Sequence, residues 1–162
     1  MPFDDFDNDD FDFNDDDFDA EEFAKEFEQR SANAKSQPLY KQIIEVYETL
    51  KVLLDNADNE NDYLKANKEL LIESVFIIRA KLYSALQSDS YIVCMSNAAE
   101  IRKHADYLLL SSHTLNDMKQ FDRQYISVFR NEMETFKALF KTWAFEIKLM
   151  DKEDFEDVWG LF

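Results

Sequence analysis

Two histidines, one cysteine and a single glycine bound the chemistry open to this 162-residue chain. Glu100 stands four residues before His104, a helical spacing that brings a carboxylate beside an imidazole. A carboxylate-bridged pair of metals in a helical bundle needs a Glu from each of two helices and a Glu-x-x-His from each of two more. Glu100 and His104 have another spacing and occur once, and His113 has no such companion, so the expectation is a surface pair and no metal centre. Cys94 falls on an apolar stripe between Tyr91 and Ala98, where a thiol packs and stays inert. Gly160 alone builds neither a phosphate-cradling loop nor a dinucleotide turn, since both need several glycines at fixed spacing. The residues thus name no catalytic group and no cofactor, and the chain is expected not to be an enzyme.

Four polar side chains fall close to apolar stripes: Arg79, Asn97, Arg102 and Glu132. Arg79 lies among Val75, Phe76, Ile78, Leu82 and Tyr83, so its guanidinium must reach out to water or be paired. Glu132 is the expected partner, the pair fixing helix register. Tyr83, Tyr91, Tyr107, His104 and Arg102 are the side chains from which a polar ligand pocket between helices could be assembled.

The net charge of −17 is concentrated at the two ends. Residues 1–22 hold ten Asp and two Glu with no Lys or Arg, and residues 151–162 hold five acids and one Lys. The stretch between them is close to neutral. Phe3, Phe6, Phe11, Phe13 and Phe18 interleave the first acids at spacings that match neither a helix face nor a strand face. Self-repulsion and the lack of one apolar face predict a disordered arm over 1–18. Aromatic anchors among acids suit a basic, apolar groove on a partner protein, which assigns partner binding to Phe6, Phe11, Phe13 and Phe18. Trp159 and Phe162 repeat the style at the other end, and Gly160 permits a turn that would fold the tail back over Phe140 and Trp143. A body without basic excess and with anionic ends is expected to avoid nucleic acid.

The elements that must position these residues read as helices. One Gly and two Pro cannot supply the tight turns of an all-β fold. Asp19 with Glu22 predicts a first, short helix that carries Phe23 and Phe27 on one face and fades through 31–36. Pro38 opens a helix with Leu39, Ile43, Val46, Leu50, Leu53 and Ala57 on its stripe. The next runs from about 60 to 87 on Leu64, Leu71, Val75, Ile78, Leu82 and Ala85. Leu70, Ile72, Phe76 and Ile77 widen its apolar surface, so it is expected to be the most buried. A third spans about 90 to 112 on Cys94, Ala98, Ile101, Ala105, Leu108 and Ser112. Thr114 with Asp117 predicts the cap of a long last helix through Phe121, Tyr125, Phe129, Met133, Phe136, Phe140, Trp143, Ile147 and Met150, roughly 54 Å in length. The expected fold is all-α: an up-and-down antiparallel four-helix bundle over 37–150, with a short extra helix and linker over 19–36 and an acidic-aromatic tail over 151–162.

The stretch Met95, Ser96, Asn97, Ala98, Ala99, Glu100, Ile101, Arg102 and Lys103, the Phe136, Phe140 and Trp143 helix, and the terminal Trp159, Gly160, Leu161 and Phe162 carry a resemblance. They resemble a group of small bacterial helical proteins that share an Asn-Ala-Ala-x-Ile-Arg helix and a Trp-Gly-Leu-Phe tail. The resemblance covers about 39–162, leaves out the Asp/Phe arm, and implies a helical fold with no known activity, ligand or site.

The functional expectation is a non-enzymatic interaction module whose acidic-aromatic tails dock on another protein. The alternatives are a self-assembling bundle, in which an overlong last helix makes a homo-oligomer, and a ligand-binding bundle with a polar pocket. The longest apolar run, Leu70 to Ile78, includes Glu73 and is far shorter than a membrane span. No secretory leader and no cysteine pair is visible, which reads as a cytoplasmic protein without membrane contact.

Overall fold

A computed structural model describes residues 19–55, 62–117 and 121–150, with the side chains of 62–64 left out of account. It is all-α. Five helices follow in order: α1 (Ala20–Ser36), α2 (Pro38–Asp55), α3 (Asp62–Leu86), α4 (Tyr91–Asp117) and α5 (Arg123–Lys148). Among the described residues there is no strand. The arm over 1–18 and the tail over 151–162 lie outside the described residues.

α1 begins at Asp19, whose carboxylate accepts the backbone N–H groups of Glu21 and Glu22 at 2.9 and 3.2 Å. This satisfies two of the donors that a helix start leaves open. The helix does not fade after residue 30 but runs on to Ser36. Ala34 is buried, and the Ser31 hydroxyl accepts a 2.8 Å hydrogen bond from Tyr83 on α3, so docking carries the last turn. Gln37 stops it with an extended backbone (φ −61°, ψ 137°), the conformation that a following proline enforces. Its carbonyl then accepts the Lys41 N–H at 3.0 Å, opening α2.

Every expected stripe residue of α2 within the described part is buried. On α3 the buried residues are Leu71, Ser74, Val75, Ile78, Leu82 and Ala85, a single stripe. The widened apolar surface does not make α3 uniformly buried: Leu70 is 49% and Phe76 46% exposed. Only one side of α3 meets both α2 and α4, and the surplus apolar residues are left at its edge.

The largest departure lies between α4 and α5. Thr114 does not cap a helix. α4 continues through it to Asp117 and buries Leu115 in the main core. Burying a leucine contributes about 1.5–3 kcal/mol, more than the roughly 1 kcal/mol of a threonine cap, so the core decides this boundary. α5 starts instead behind Asp122, whose carboxylate accepts the Gln124 N–H at 2.8 Å. The late start places Ile126 in the core where Tyr125 was expected, and leaves Tyr125 exposed. It also shortens α5 to 26 residues, about 39 Å, beside 27 residues in α4. Among the described residues α5 still outruns the 18 residues of α2, by less than expected.

Asp122→Ala is therefore expected to cost about 0.5–2 kcal/mol in urea unfolding, and Thr114→Ala almost nothing. Equal losses at both positions would contradict this boundary.

α2 packs on α3 and α5, and α4 packs on the same two helices, while among the described residues the backbones of α2 and α4, like those of α3 and α5, do not come close. α1 lies against α2 and α3. Ile43, Val46, Leu50, Val75, Ile78, Leu82, Ile101, Leu108, Phe129 and Met133 form the centre of one core.

Candidate functional site

The sequence candidates are placed apart from one another. Arg79 and Glu132 do not pair; each hydrogen-bonds to α2 instead. Arg79 Nε donates to the Tyr40 hydroxyl on α2 at 3.2 Å. Glu132 Oε1 accepts from the Thr49 hydroxyl, also on α2, at 2.9 Å. Its second oxygen is buried with no hydrogen-bond partner. Burial pushes the Glu132 carboxyl above the usual carboxylate range; the Thr49 hydrogen bond opposes the shift and the nearby Glu45 charge adds to it. Asn97 is buried together with Ala98 and Ile101, which makes this part of the Asn-Ala-Ala-x-Ile-Arg stretch a packing element. Arg102 is exposed and forms a 3.8 Å ion pair with Asp106 one turn on.

His104 faces Ser74 on α3 across a 3.2 Å hydrogen bond, and its Nε2 is 3.9 Å from Glu100. The Arg130 guanidinium, which can only donate, lies 2.7 Å from His113 Nδ1. Arg130 also donates to the buried Ser112 hydroxyl at 3.0 Å, and Ser112 donates to the Leu109 carbonyl. This chain ties the end of α4 to the start of α5. It went unseen in the sequence because Ser112 fell on the apolar stripe and its partner lay beyond the next loop. The Cys94 thiol is 2% exposed and lies 3.4 Å from the Ala85 carbonyl, a packed position closed to reagents. Among the described residues no three His, Cys, Asp or Glu side chains come close enough to hold a metal ion. No described helix is long and apolar enough to cross a membrane.

The five side chains proposed for a polar pocket are not gathered together. Tyr83 lines a shallow cleft with Lys35, Tyr40 and Arg79, whereas Arg102 lines another between α4 and α5. Three larger or more enclosed features shape the surface, the α4/α5 cleft among them. A trough of about 750 Å³ between α2 and α3 has Leu54, Ile72, Phe76 and Ile77 in its floor, and Lys51, Lys68, Asp55, Glu69 and Glu73 around it. Its mixed, slightly acidic edge favours neither sign of ligand. A second cleft, about 670 Å³, lies between Phe23 and Phe27 of α1 and the start of α4 at Ser90 and Val93. The third lies between α4 and α5, is only about 160 Å³, and is more enclosed than either. Leu109, Phe136 and Phe140 contribute its apolar lining, and Arg102, Lys137 and Lys141 stand at its rim with Asp106 as the one acid.

Helical pitch produces that rim. Lys137, Lys141 and Lys148 are spaced by four and seven residues, which sets them in one row along α5. α5 carries five basic and three acidic side chains. Lys137 lies 3.8 Å from Glu134 in an exposed pair of little strength, and Lys141 makes no ion pair among the described residues.

The expected partner-binding residues Phe6, Phe11, Phe13, Phe18, Trp159 and Phe162 lie outside the described residues. Phe140 and Trp143, the expected seat of the tail, are half-buried and pack on Cys94, Ala98 and Ile147. Compared with protein-family models, with curated proteins and with solved structures, the chain matches none.

Proposed function

We propose that this protein is a non-enzymatic interaction module, an up-and-down antiparallel four-helix bundle whose acidic-aromatic ends dock on a partner protein through a basic, apolar groove. The bundle topology is supported by connections of four to six residues between α2, α3, α4 and α5, which favour antiparallel neighbours. It is also supported by contacts at both ends of one pair. Ile147 near the end of α5 packs with Cys94 near the start of α4, and Arg130 near the start of α5 bonds Ser112 near the end of α4.

One observation carries the functional reading: nine Asp and five Phe interleaved over residues 1–18, joined to a body that is nearly neutral. A tail that served solubility alone would gain nothing from five phenylalanines. Phenyl rings contribute apolar anchoring, and the carboxylates steer the encounter and set its salt dependence.

The test is affinity capture from the native host with the full chain, with a variant in which Phe6, Phe11, Phe13 and Phe18 are all Ala, and at rising salt. The captured partner is expected to be lost from the aromatic variant. It is also expected to weaken as the Debye length falls from about 10 Å at 0.1 M to about 3 Å at 1 M. A partner indifferent to both changes would bind the bundle itself and overturn this reading.

A further inference from the structure

We infer that the cleft between α4 and α5 is the resting seat of the chain's own N-terminal arm, with Phe6 or Phe11 as the inserted ring. This rests on the arm being a binding segment, as proposed above, and adds where it lies when no partner holds it. Three properties of the cleft select this occupant.

The first is size. About 160 Å³ is too little for the face of a helix but matches one aromatic ring, since an apolar cavity of about 150 Å³ accepts benzene. Leu109, Phe136 and Phe140 offer that ring an apolar lining.

The second is charge. Arg102, Lys137 and Lys141 stand around the opening against Asp106 and the Glu134 that pairs with Lys137, an excess of one cation, so a ring entering the cleft is best accompanied by carboxylates. Phe6 lies between Asp5 and Asp7, and Phe11 between Asp10 and Asp12. Asp4 and Asp9 stand two residues before Phe6 and Phe11, on the same side of an extended chain as the ring. By contrast the α2/α3 trough has three acids to two lysines at its edge and offers the same segment no excess of cations.

The third is reach. Phe23, one turn into α1, lines one cleft with Ser90 and Val93, which sets the start of α1 across that cleft from the first turn of α4. Thirteen residues of helix separate Val93 from Asp106, a rise of about 20 Å. An extended chain spans roughly 26 Å from Asp19 to Phe11 and roughly 43 Å from Asp19 to Phe6. Phe18, next to the cap, is too close to its root. Seated in this way, the arm screens its own anchors, and a partner must compete for them.

The experiment uses the full chain with Asn8→Cys carrying a nitroxide, which sits between the two candidate rings; the other thiol, Cys94, is buried. Backbone amide signals of residues 102–109 and 133–141 are expected to lose most of their intensity, while those of Leu54 and Ile72 at the α2/α3 trough keep theirs. The loss is expected not to depend on protein concentration. It should be relieved by 1 M salt, by Phe6→Ala with Phe11→Ala, and by Lys137→Glu with Lys141→Glu, the two lysines being exposed.

Loss spread evenly over all faces, or centred on another cleft, overturns the assignment. So does loss seen only when labelled chains are mixed with nitroxide-bearing ones, because the arm would then seat on a second copy. Partner capture that still depends on the phenylalanines, without this pattern, would leave the interaction module standing and remove only the resting seat.

Discussion

Ile78→Ala is expected to lower the stability of the protein by about 2–5 kcal/mol. Ile78 is fully buried at the middle of α3, the helix that packs on both α2 and α4. Truncation removes the transfer free energy of three carbons and leaves a hole whose walls belong to rigid neighbouring helices, so relaxation is limited. Against a total stability of typically about 5–15 kcal/mol, such a loss is large. It would be read as a lower urea midpoint at unchanged slope. Leu110→Ala is the control, because Leu110 is 70% exposed on α4 and its loss should stay within about 0.5 kcal/mol. A loss below about 1 kcal/mol at Ile78 would mean that the α3 stripe does not face the core.

Glu132→Met is expected to act in the opposite direction and to stabilise the protein by about 1 kcal/mol at neutral pH. The carboxyl sits between α5 and α2 with one oxygen on Thr49 and the other buried without a partner. An unpaired buried polar atom costs about 1–3 kcal/mol, whereas a made hydrogen bond contributes only about 0.5–1.5 kcal/mol. Methionine has the same length and a similar helix propensity, so it removes the oxygens without disturbing the helix.

The gain has a definite pH dependence. Burial raises the folded-state pKa of Glu132, so the folded protein holds this proton to higher pH than the unfolded chain does. Wild-type stability therefore falls as pH rises from the unfolded pKa through the raised folded value, and the penalty is complete above it. Unfolding between pH 8 and pH 5, clear of the isoelectric point of about 4.4, should show the advantage of the variant narrowing toward pH 5. An advantage that widens toward acid, or a variant less stable than wild type at pH 8, would show that the Thr49 hydrogen bond outweighs the burial cost.

Of the site, little was legible in residue order. The three cations and five apolar side chains of the α4/α5 cleft belong to two helices, and only their packing brings Arg102 opposite Lys137 and Lys141. Glu132 could be recognised as a carboxylate close to a stripe. Its partner could not, because several hydroxyls and cations lie on stripes and only contact selects among them. Thr49 and Tyr40 are on α2, which touches both α3 and α5, and it takes up the polar groups of both.

The sequence by itself determined that the described chain is helical and which side of most helices is covered, because spacing by three and four residues is a local property of each segment. It also determined the break at Gln37, since proline restricts its neighbour wherever it stands. Tertiary structure alone decided how far α4 runs, which apolar residues of α3 stay uncovered, and which helices exchange hydrogen bonds. Each of these is a choice between local states that differ by about 1 kcal/mol or less. The burial of a single side chain such as Leu115 is worth more than that, and it depends on helices that lie far away in sequence.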